Sequence, residues 1–95
     1  PDEEGRREVL NIQLAGVPLE PGLSLDKLVA YLASTSAGYA GADLAQLCQE
    51  AKLSALKERS RGQSAPLRMA HFMAAQSNVA ESRKVYQEDI AQPAS

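Results

Sequence analysis

Apolar residues recur three or four positions apart in four stretches of this 95-residue chain, a spacing that places them on one face of an α-helix. The first stretch predicts a helix over residues 3 to 15, with Asp2 as its N-terminal cap. Ser24 is the predicted cap of the second helix, SLDKLVAYLAST. The third helix is predicted over residues 41 to 59, and the fourth over residues 67 to 77. The apolar positions expected to face the core are, in chain order, Val9, Leu10, Ile12, Leu14, Leu25, Leu28, Val29, Leu32, Leu44, Leu47, Cys48, Ala51, Ala55, Leu56, Met69, Phe72, Met73 and Ala75.

Glycine and proline residues separate these helices. They form a turn-rich connection over residues 16 to 22, and Gly38 interrupts the helical pattern before the third helix. The stretch SRGQSAP is expected to be a loop. Four helices with short connections predict an all-α fold, a four-helix bundle over residues 1–80. Residues 81–95 have weak periodicity and are expected to form a poorly ordered tail or linker.

The charge pattern argues against a nucleic-acid-binding protein. The net charge is −2, so the chain has no overall basic field. The one local excess of basic residues is interleaved with Glu58 and small polar residues, which favours a solvated helix end and loop. That excess consists of Lys57, Arg59, Arg61 and Arg68.

The residues that could carry chemistry are few. Cys48 is the single cysteine and falls on an apolar helical position, which predicts a core residue in a reducing, intracellular compartment. His71 is the single histidine and has no acid beside it in the sequence, so a surface or boundary position is expected. The chain contains neither a GxxxxGK[ST] phosphate loop nor a serine oriented by a base. The fragment alone is therefore expected to lack catalysis and to bind ATP too weakly to measure.

The start of the third helix is unusual. Gly41 and Ala42 open it with almost no side chain, although glycine is a poor helix former. Asp43 follows in the first turn, where a carboxylate can accept hydrogen bonds from free amides. Small residues at a helix N-terminus allow a flat ring or an anion to approach the backbone. Two explanations remain open at this point, a ligand against the backbone or another helix packed tightly there.

Four segments resemble the small helical lid domain of the AAA ATPases. The segment GYAGADLAQLCQEAKLSAL resembles their GxSGADLxxLCxEAAxxAL sequence, in the region called sensor 2. PDEEGRREVLNIQL resembles the start of that lid, and VPLEPGLSLDKLVAYLAST its second helix with the preceding connection. RMAHFMAAQSN resembles the fourth helix. The resemblance covers nearly the whole chain in the order and spacing of the family.

The resemblance implies a role in ATP hydrolysis by a larger protein. In this family the large α/β domain holds the phosphates and Mg²⁺ of ATP or ADP, and the lid closes over the adenine and ribose. Gly41 and Ala42 match positions whose backbone packs against the adenine, and Gln13 stands where a histidine commonly faces the nucleotide. The implied partners are the large domain of the same chain, that of the neighbouring subunit in a homo- or hetero-hexamer, and protein substrates or adaptors. The resemblance implies neither nucleic acid nor direct membrane contact as a partner of this fragment.

Several departures from the family pattern indicate a divergent member. One departure is Gln13 in place of histidine. A second is Ala40 in place of the usual capping serine, which should cost about 1 kcal/mol of helix stability. His71 replaces an acid, and Val79 with Ala80 replaces a Pro-Ser pair.

The branch of the family is predicted from shorter similarities. LCQEAKLSAL favours the valosin-containing-protein type, a protein-unfolding machine, over the membrane-anchored AAA zinc proteases, which the ESRK sequence resembles. A cytoplasmic or nuclear location is preferred, with a mitochondrial one as the alternative. Two other classes stay open, a degenerate lid that acts as a helical protein-interaction module, and a helix-turn-helix DNA-binding domain. The exposed face of the third helix is too acidic to favour the DNA-binding class.

Overall fold

The structure, a computed structural model, describes residues 1–58 and 65–91. Within these ranges the chain forms four α-helices and no sheet. They are α1 (Glu3–Leu14), α2 (Leu25–Ser34), α3 (Gly41–Lys57) and α4 (Met69–Ala91). The predicted all-α fold of four helices is confirmed. None of the described helices combines the length and the apolar character needed to cross a bilayer.

The first two helices are joined by a buried arginine. Asp2 caps α1 as predicted, because its Oδ1 accepts a hydrogen bond from Gly5 N at 2.7 Å. Arg6 lies on the inner face of α1 and donates from Nε to the carbonyl oxygen of Ala33 at 3.0 Å. That carbonyl belongs to the last turn of α2, where free carbonyl groups need donors. Ser24 precedes α2 as predicted, but its side chain makes no capping hydrogen bond.

The core lies between α3 and its two neighbours, α1 and α4, with α2 packed against α1. Among the side chains that the structure describes, Phe72 is the largest that is fully buried, and Cys48 is also fully buried. The eight residues expected at the centre of the core are all buried, which confirms the assignment. They are Leu10, Leu28, Leu32, Leu44, Leu47, Cys48, Ala51 and Phe72.

Three apolar residues assigned to the core face are exposed instead. Ile12, Leu56 and Met73 are 76%, 56% and 58% exposed. Neighbouring residues of an α-helix point about 100° apart, and Phe72 and Ala55 face the packed helices whereas Met73 and Leu56 face away from them. Ile12 follows Leu10 by two residues and therefore points about 200° away from it. The prediction was wrong because it counted every apolar residue of a periodic stretch.

The connection between α1 and α2 fixes the start of α4. Leu67 N donates to the carbonyl oxygen of Pro18, and Glu20 N donates to that of Leu67, both at 2.9 Å. The carboxylate of Glu20 then accepts a hydrogen bond from Met69 N at 2.7 Å. A residue 49 positions earlier in the sequence therefore supplies the acceptor for the first amide of α4.

Helix α4 is longer than predicted. It continues to Ala91, fourteen residues beyond the predicted end at residue 77 (91 − 77 = 14). Val79, just before the segment with weak periodicity, is buried, and Arg83 within that segment is ion-paired to Asp43 of α3. Residues 81–91, which the sequence analysis assigned to a poorly ordered tail or linker, thus include the end of α4, while residues 92–95 lie outside the described ranges. A functional boundary after residue 80 stays a prediction.

Candidate functional site

The start of α3 is capped by Asp43. Ala40 occupies the N-cap position in an extended conformation (φ −79°, ψ 166°). Asp43 Oδ2 accepts a hydrogen bond from Ala40 N at 2.8 Å, which is the reciprocal half of a capping box. The alanine methyl cannot supply the other half. The predicted capping role of Asp43 is confirmed.

Gly41 and Ala42, the first two residues of α3, are open to approach. A Cβ atom built on Gly41 would meet no described atom within 4 Å, and Ala42 is exposed. Tight packing by another described part of the chain therefore does not explain why both residues are small. Ala40 N and Asp43 N are hydrogen-bonded, to Asp43 Oδ2 and to the Ala40 carbonyl oxygen, whereas the geometry of a helix start gives the amides of Gly41 and Ala42 no acceptor within α3. This surface is accordingly able to receive a ring or an anion against the backbone.

A cleft of about 610 Å³ lies between this helix start and the second half of α4. Ala42 contributes to its wall from α3, and Ser82 contributes from α4. The lining residues include Gly38, Ala40, Ala42, Asp43, Ser82 and Arg83.

Gln13 lies on a different helix, outside this cleft. It is half-buried in the last turn of α1, and its backbone carbonyl oxygen accepts a hydrogen bond from Lys52 Nζ at 2.8 Å. Lys52 follows Gly41 by eleven residues, about 16 Å along α3. Gly41 and Ala42 are neighbours at the start of α3, but Gln13 contacts that helix further along, at Lys52.

Arg83 closes the far side of the cleft and was missed by sequence reasoning. Its Nη1 lies 2.8 Å from Asp43 Oδ2, and its guanidinium carbon lies 4.4 Å from the centre of the Tyr39 ring. The residues are 40 positions or more apart in the sequence, so no local pattern could have linked them.

His71 is buried, contrary to the prediction of a surface or boundary position. It is 3% exposed, and its Nδ1 accepts a hydrogen bond from Arg68 N at 2.9 Å. The ring proton therefore resides on Nε2, which lies 3.0 Å from Oε2 of Glu58, the residue that follows α3. His71 thus has an acid beside it in space, although none adjoins it in the sequence. A signal existed, because His71 occupies the third helical position, where capping boxes place an acceptor.

The carboxylate of Glu58 joins this histidine to Arg68, whose Nη2 lies 2.6 Å away. The hydrogen bond from His71, and then that from Arg68, lowers the pKa of Glu58 below its ordinary value of 4.5. Arg68 and Glu58 are half-exposed, as expected for a solvated helix end. Arg59 and Arg61, assigned to the same basic region, lie outside the described residues.

Cys48 is unsuited to act as a nucleophile. Desolvation by burial raises the pKa of its thiol from 9.0 to about 11, although the charge of Lys52 acts in the opposite direction. The thiolate form that would react is therefore scarce at neutral pH. Across residues 1–58 and 65–91, no group of three or more His, Cys, Asp or Glu side chains is arranged to hold a metal ion.

Residues 26–74, which are just over half of the chain, match the family of AAA+ lid domains. The chain belongs to this family, which places it among the lid domains of AAA ATPases.

The similar proteins include several kinds of AAA ATPase. The ATPase family gene 2 protein homolog B of Mus musculus is 37% identical over 82 residues, which cover 86% of this chain and 10% of that protein. A mitochondrial inner membrane m-AAA protease component of Mus musculus is 40% identical over 60 residues, 63% of this chain and 8% of the relative. The cell division cycle protein 48 homolog of Archaeoglobus fulgidus is 42% identical over 57 residues, 60% of this chain and 7% of the relative.

The chain spans a tenth or less of the length of these three relatives. The sequence identity is similar for the m-AAA protease component (40%) and for the cell division cycle protein (42%). The preference for the valosin-containing-protein branch therefore stays a prediction.

Proposed function

We propose that this domain closes over the adenine of ATP or ADP and transmits the nucleotide state between the subunits of a hexameric protein-remodelling ATPase. Membership of the AAA+ lid family supports the general role. The open start of α3 is the observation that carries the specific one. A Cβ atom on Gly41 would meet no described atom within 4 Å and Ala42 is exposed, next to a cleft of about 610 Å³.

The adenine would lie against the backbone of Gly41 and Ala42, where the absence of bulk permits contact at van der Waals distance. Gln13 is proposed to offer a hydrogen bond to the nucleotide in place of the histidine common in the family. The phosphates and Mg²⁺ would be held by the large α/β domain of the intact protein. That domain would also hydrolyse ATP, since this chain carries no phosphate loop.

The exposed apolar side chains are consistent with packing against other domains. Ile12 on α1 and Leu53 with Leu56 on α3 are 76%, 46% and 56% exposed. Leu53 and Leu56 are three positions apart on α3 and therefore lie next to each other on its surface. We propose that the large domains of the same chain and of the neighbouring subunit cover them, and that protein substrates or adaptors bind elsewhere on the hexamer.

The substitution Ala42→Leu tests this proposal in the full-length protein. Leucine is a good helix former and Ala42 is exposed, so the bundle should keep its melting temperature. The added side chain would occupy the space of the adenine, and ADP affinity measured by calorimetry should fall at least tenfold. Ala74→Leu, at an exposed position of α4, is the matched control and should leave both quantities unchanged. Unchanged ADP affinity in Ala42→Leu would overturn the proposal.

The second candidate is a degenerate lid that binds other proteins without nucleotide. The outward-facing pair Leu53 and Leu56 favours it, because two neighbouring exposed leucines can anchor a partner helix. In that case ADP would not bind the full-length protein, whereas Leu53→Ser would weaken a protein complex. A further alternative is that the full-length protein is a membrane-anchored zinc protease. In that case Gly41 and Ala42 would have the same role as in the first proposal.

A further inference from the structure

Arg83 is held by three residues that flank the start of α3. Its Nη1 lies 2.8 Å from Asp43 Oδ2 and donates to the carbonyl oxygen of Gly38 at 3.3 Å. The Tyr39 ring lies under the guanidinium at 4.4 Å, within the range of a cation–π interaction. The side chains of Arg83 and Asp43 are each 25% exposed, so the pair is partly shielded from solvent. Arg83 therefore binds the connection before α3 and the first turn of α3 at once.

These contacts bracket Gly41 and Ala42 on both sides in the sequence. Asp43 Oδ2, the oxygen that pairs with Arg83, is also the acceptor for Ala40 N. One carboxylate oxygen thus joins the cap of α3 to α4. Gly38, which accepts a hydrogen bond from Arg83, has a φ of +84° that favours glycine, so the turn itself is sharply defined.

Arg83 is also the anchor for the end of α4. Val79 is the last buried side chain among those described on α4, and the helix continues for twelve residues beyond it to Ala91 (91 − 79 = 12). Helix ends are the parts of a fold that open most easily, and a side-chain contact near such an end can hold it. The contacts of Arg83 with Gly38, Tyr39 and Asp43 are placed to provide that hold.

We propose that Arg83 is a positioning residue that couples the start of α3 to the last turns of α4. This inference rests on the proposed nucleotide-binding function of Gly41 and Ala42. Because coupling between two sites is reciprocal, a nucleotide that favours the observed arrangement of residues 38–43 also stabilises α4 beyond Arg83. The nucleotide state would in this way reach the chain that follows the lid.

The guanidinium group suits this role better than an ammonium group. Its planar face covers the Tyr39 ring while its edge donates to Asp43 and Gly38. Lysine would retain the positive charge but would lose the stacked geometry. Arg83→Lys is therefore expected to restore part of what Arg83→Ala loses.

The first experiment measures backbone amide exchange in the present chain. Arg83→Ala should raise the exchange rates of Ala40 and of residues 84–91 roughly five- to tenfold, the effect of losing a partly exposed ion pair and a cation–π contact. Arg83→Lys should give an intermediate increase. Lys84→Ala, which alters the neighbouring exposed residue, is the matched control and should leave Ala40 unchanged. Unchanged exchange of Ala40 and residues 84–91 in Arg83→Ala would overturn the inference.

The second experiment uses the full-length protein at saturating ADP, so that differences in affinity do not affect the result. ADP should slow amide exchange in residues 84–91 of the wild-type protein and should not do so in Arg83→Ala. If Arg83 has only a structural role, ADP will still slow exchange in Arg83→Ala, and that result would overturn the inference. The proposed nucleotide-binding function would not be affected, because it is tested separately by the loss of ADP affinity in Ala42→Leu. If Ala42→Leu binds ADP normally, the proposed function fails, and the coupling fails with it.

Discussion

A histidine occupies the position where helix N-termini commonly place a carboxylate. His71 accepts from Arg68 N through Nδ1, as a capping-box glutamate would, and its Nε2 proton is directed at Glu58. The replacement of the family's acid by histidine is therefore compatible with a capped helix. A carboxylate at the same place would have faced Glu58 with a like charge.

Glu58 makes this cluster sensitive to acid. Its pKa is lowered, first by the hydrogen bond from His71 and then by that from Arg68, so the ionised carboxylate is favoured in the folded state. A lowered folded-state pKa stabilises the protein above the ordinary value of 4.5, and this contribution is lost as pH falls through the lower folded value. We expect the wild-type chain to exceed Glu58→Gln in stability near neutral pH, with a difference that shrinks below 4.5.

Urea midpoints measured at a series of pH values test this expectation. Glu8→Gln is the matched control, because Glu8 is an exposed carboxylate on α1 outside the cluster. A difference between wild type and Glu58→Gln that stays constant down to strongly acidic pH would contradict the assignment.

At the scale of elements, α4 illustrates how a helix start can depend on a distant loop. Met69 N donates to Glu20, and the loop is itself paired with Leu67. The acceptor for the first amide of α4 thus comes from the α1–α2 connection, since Arg68, the residue before the helix, has no side-chain oxygen that could cap it.

Removing that acceptor should destabilise the fold. Glu20→Ala leaves Met69 N without its partner in a half-buried setting, and the free energy of unfolding should fall by about 1 kcal/mol. Glu20→Gln retains an acceptor oxygen and should lose less. Glu81→Ala, an exposed glutamate of the same helix, serves as the control in the same denaturation series. Equal stability of Glu20→Ala and Glu81→Ala would show that the Glu20 contact does not stabilise α4.

At the scale of the whole molecule, the stability of the bundle depends on the burial of Phe72. Phe72 is fully buried, and a domain of 95 residues has little stability in reserve. Phe72→Ala should reduce the free energy of unfolding by about 3–5 kcal/mol, through lost burial and the cavity left behind. The adjacent Met73 is 58% exposed, so Met73→Ala should change stability far less. Similar urea midpoints for the two variants would refute the assignment of Phe72 to the core.

Much of the fold was predictable because its determinants are close together in the sequence. The cap at Asp2, the turn at Gly38 and the cap at Asp43 involve residues within a few positions of one another. The site was predictable only in part. The small residues Gly41 and Ala42 stood out in the sequence, and the structure leaves space beside them, while nucleotide binding there stays a prediction.

The sequence by itself determined the helices, most of the core and the AAA+ lid family, because periodicity, caps and motifs are local properties of the chain. Tertiary structure alone decided which acceptor caps α4, that His71 is buried against Glu58, and that Arg83 holds the start of α3. These contacts join residues 49, 13 and 40 positions apart. Tertiary structure also separated Ile12 and Met73 from the core, since a single helix cannot show which of its apolar residues a neighbour will cover. The physical reason is the same in each case, because the packing of distant helices brings together side chains whose proximity no local spacing encodes.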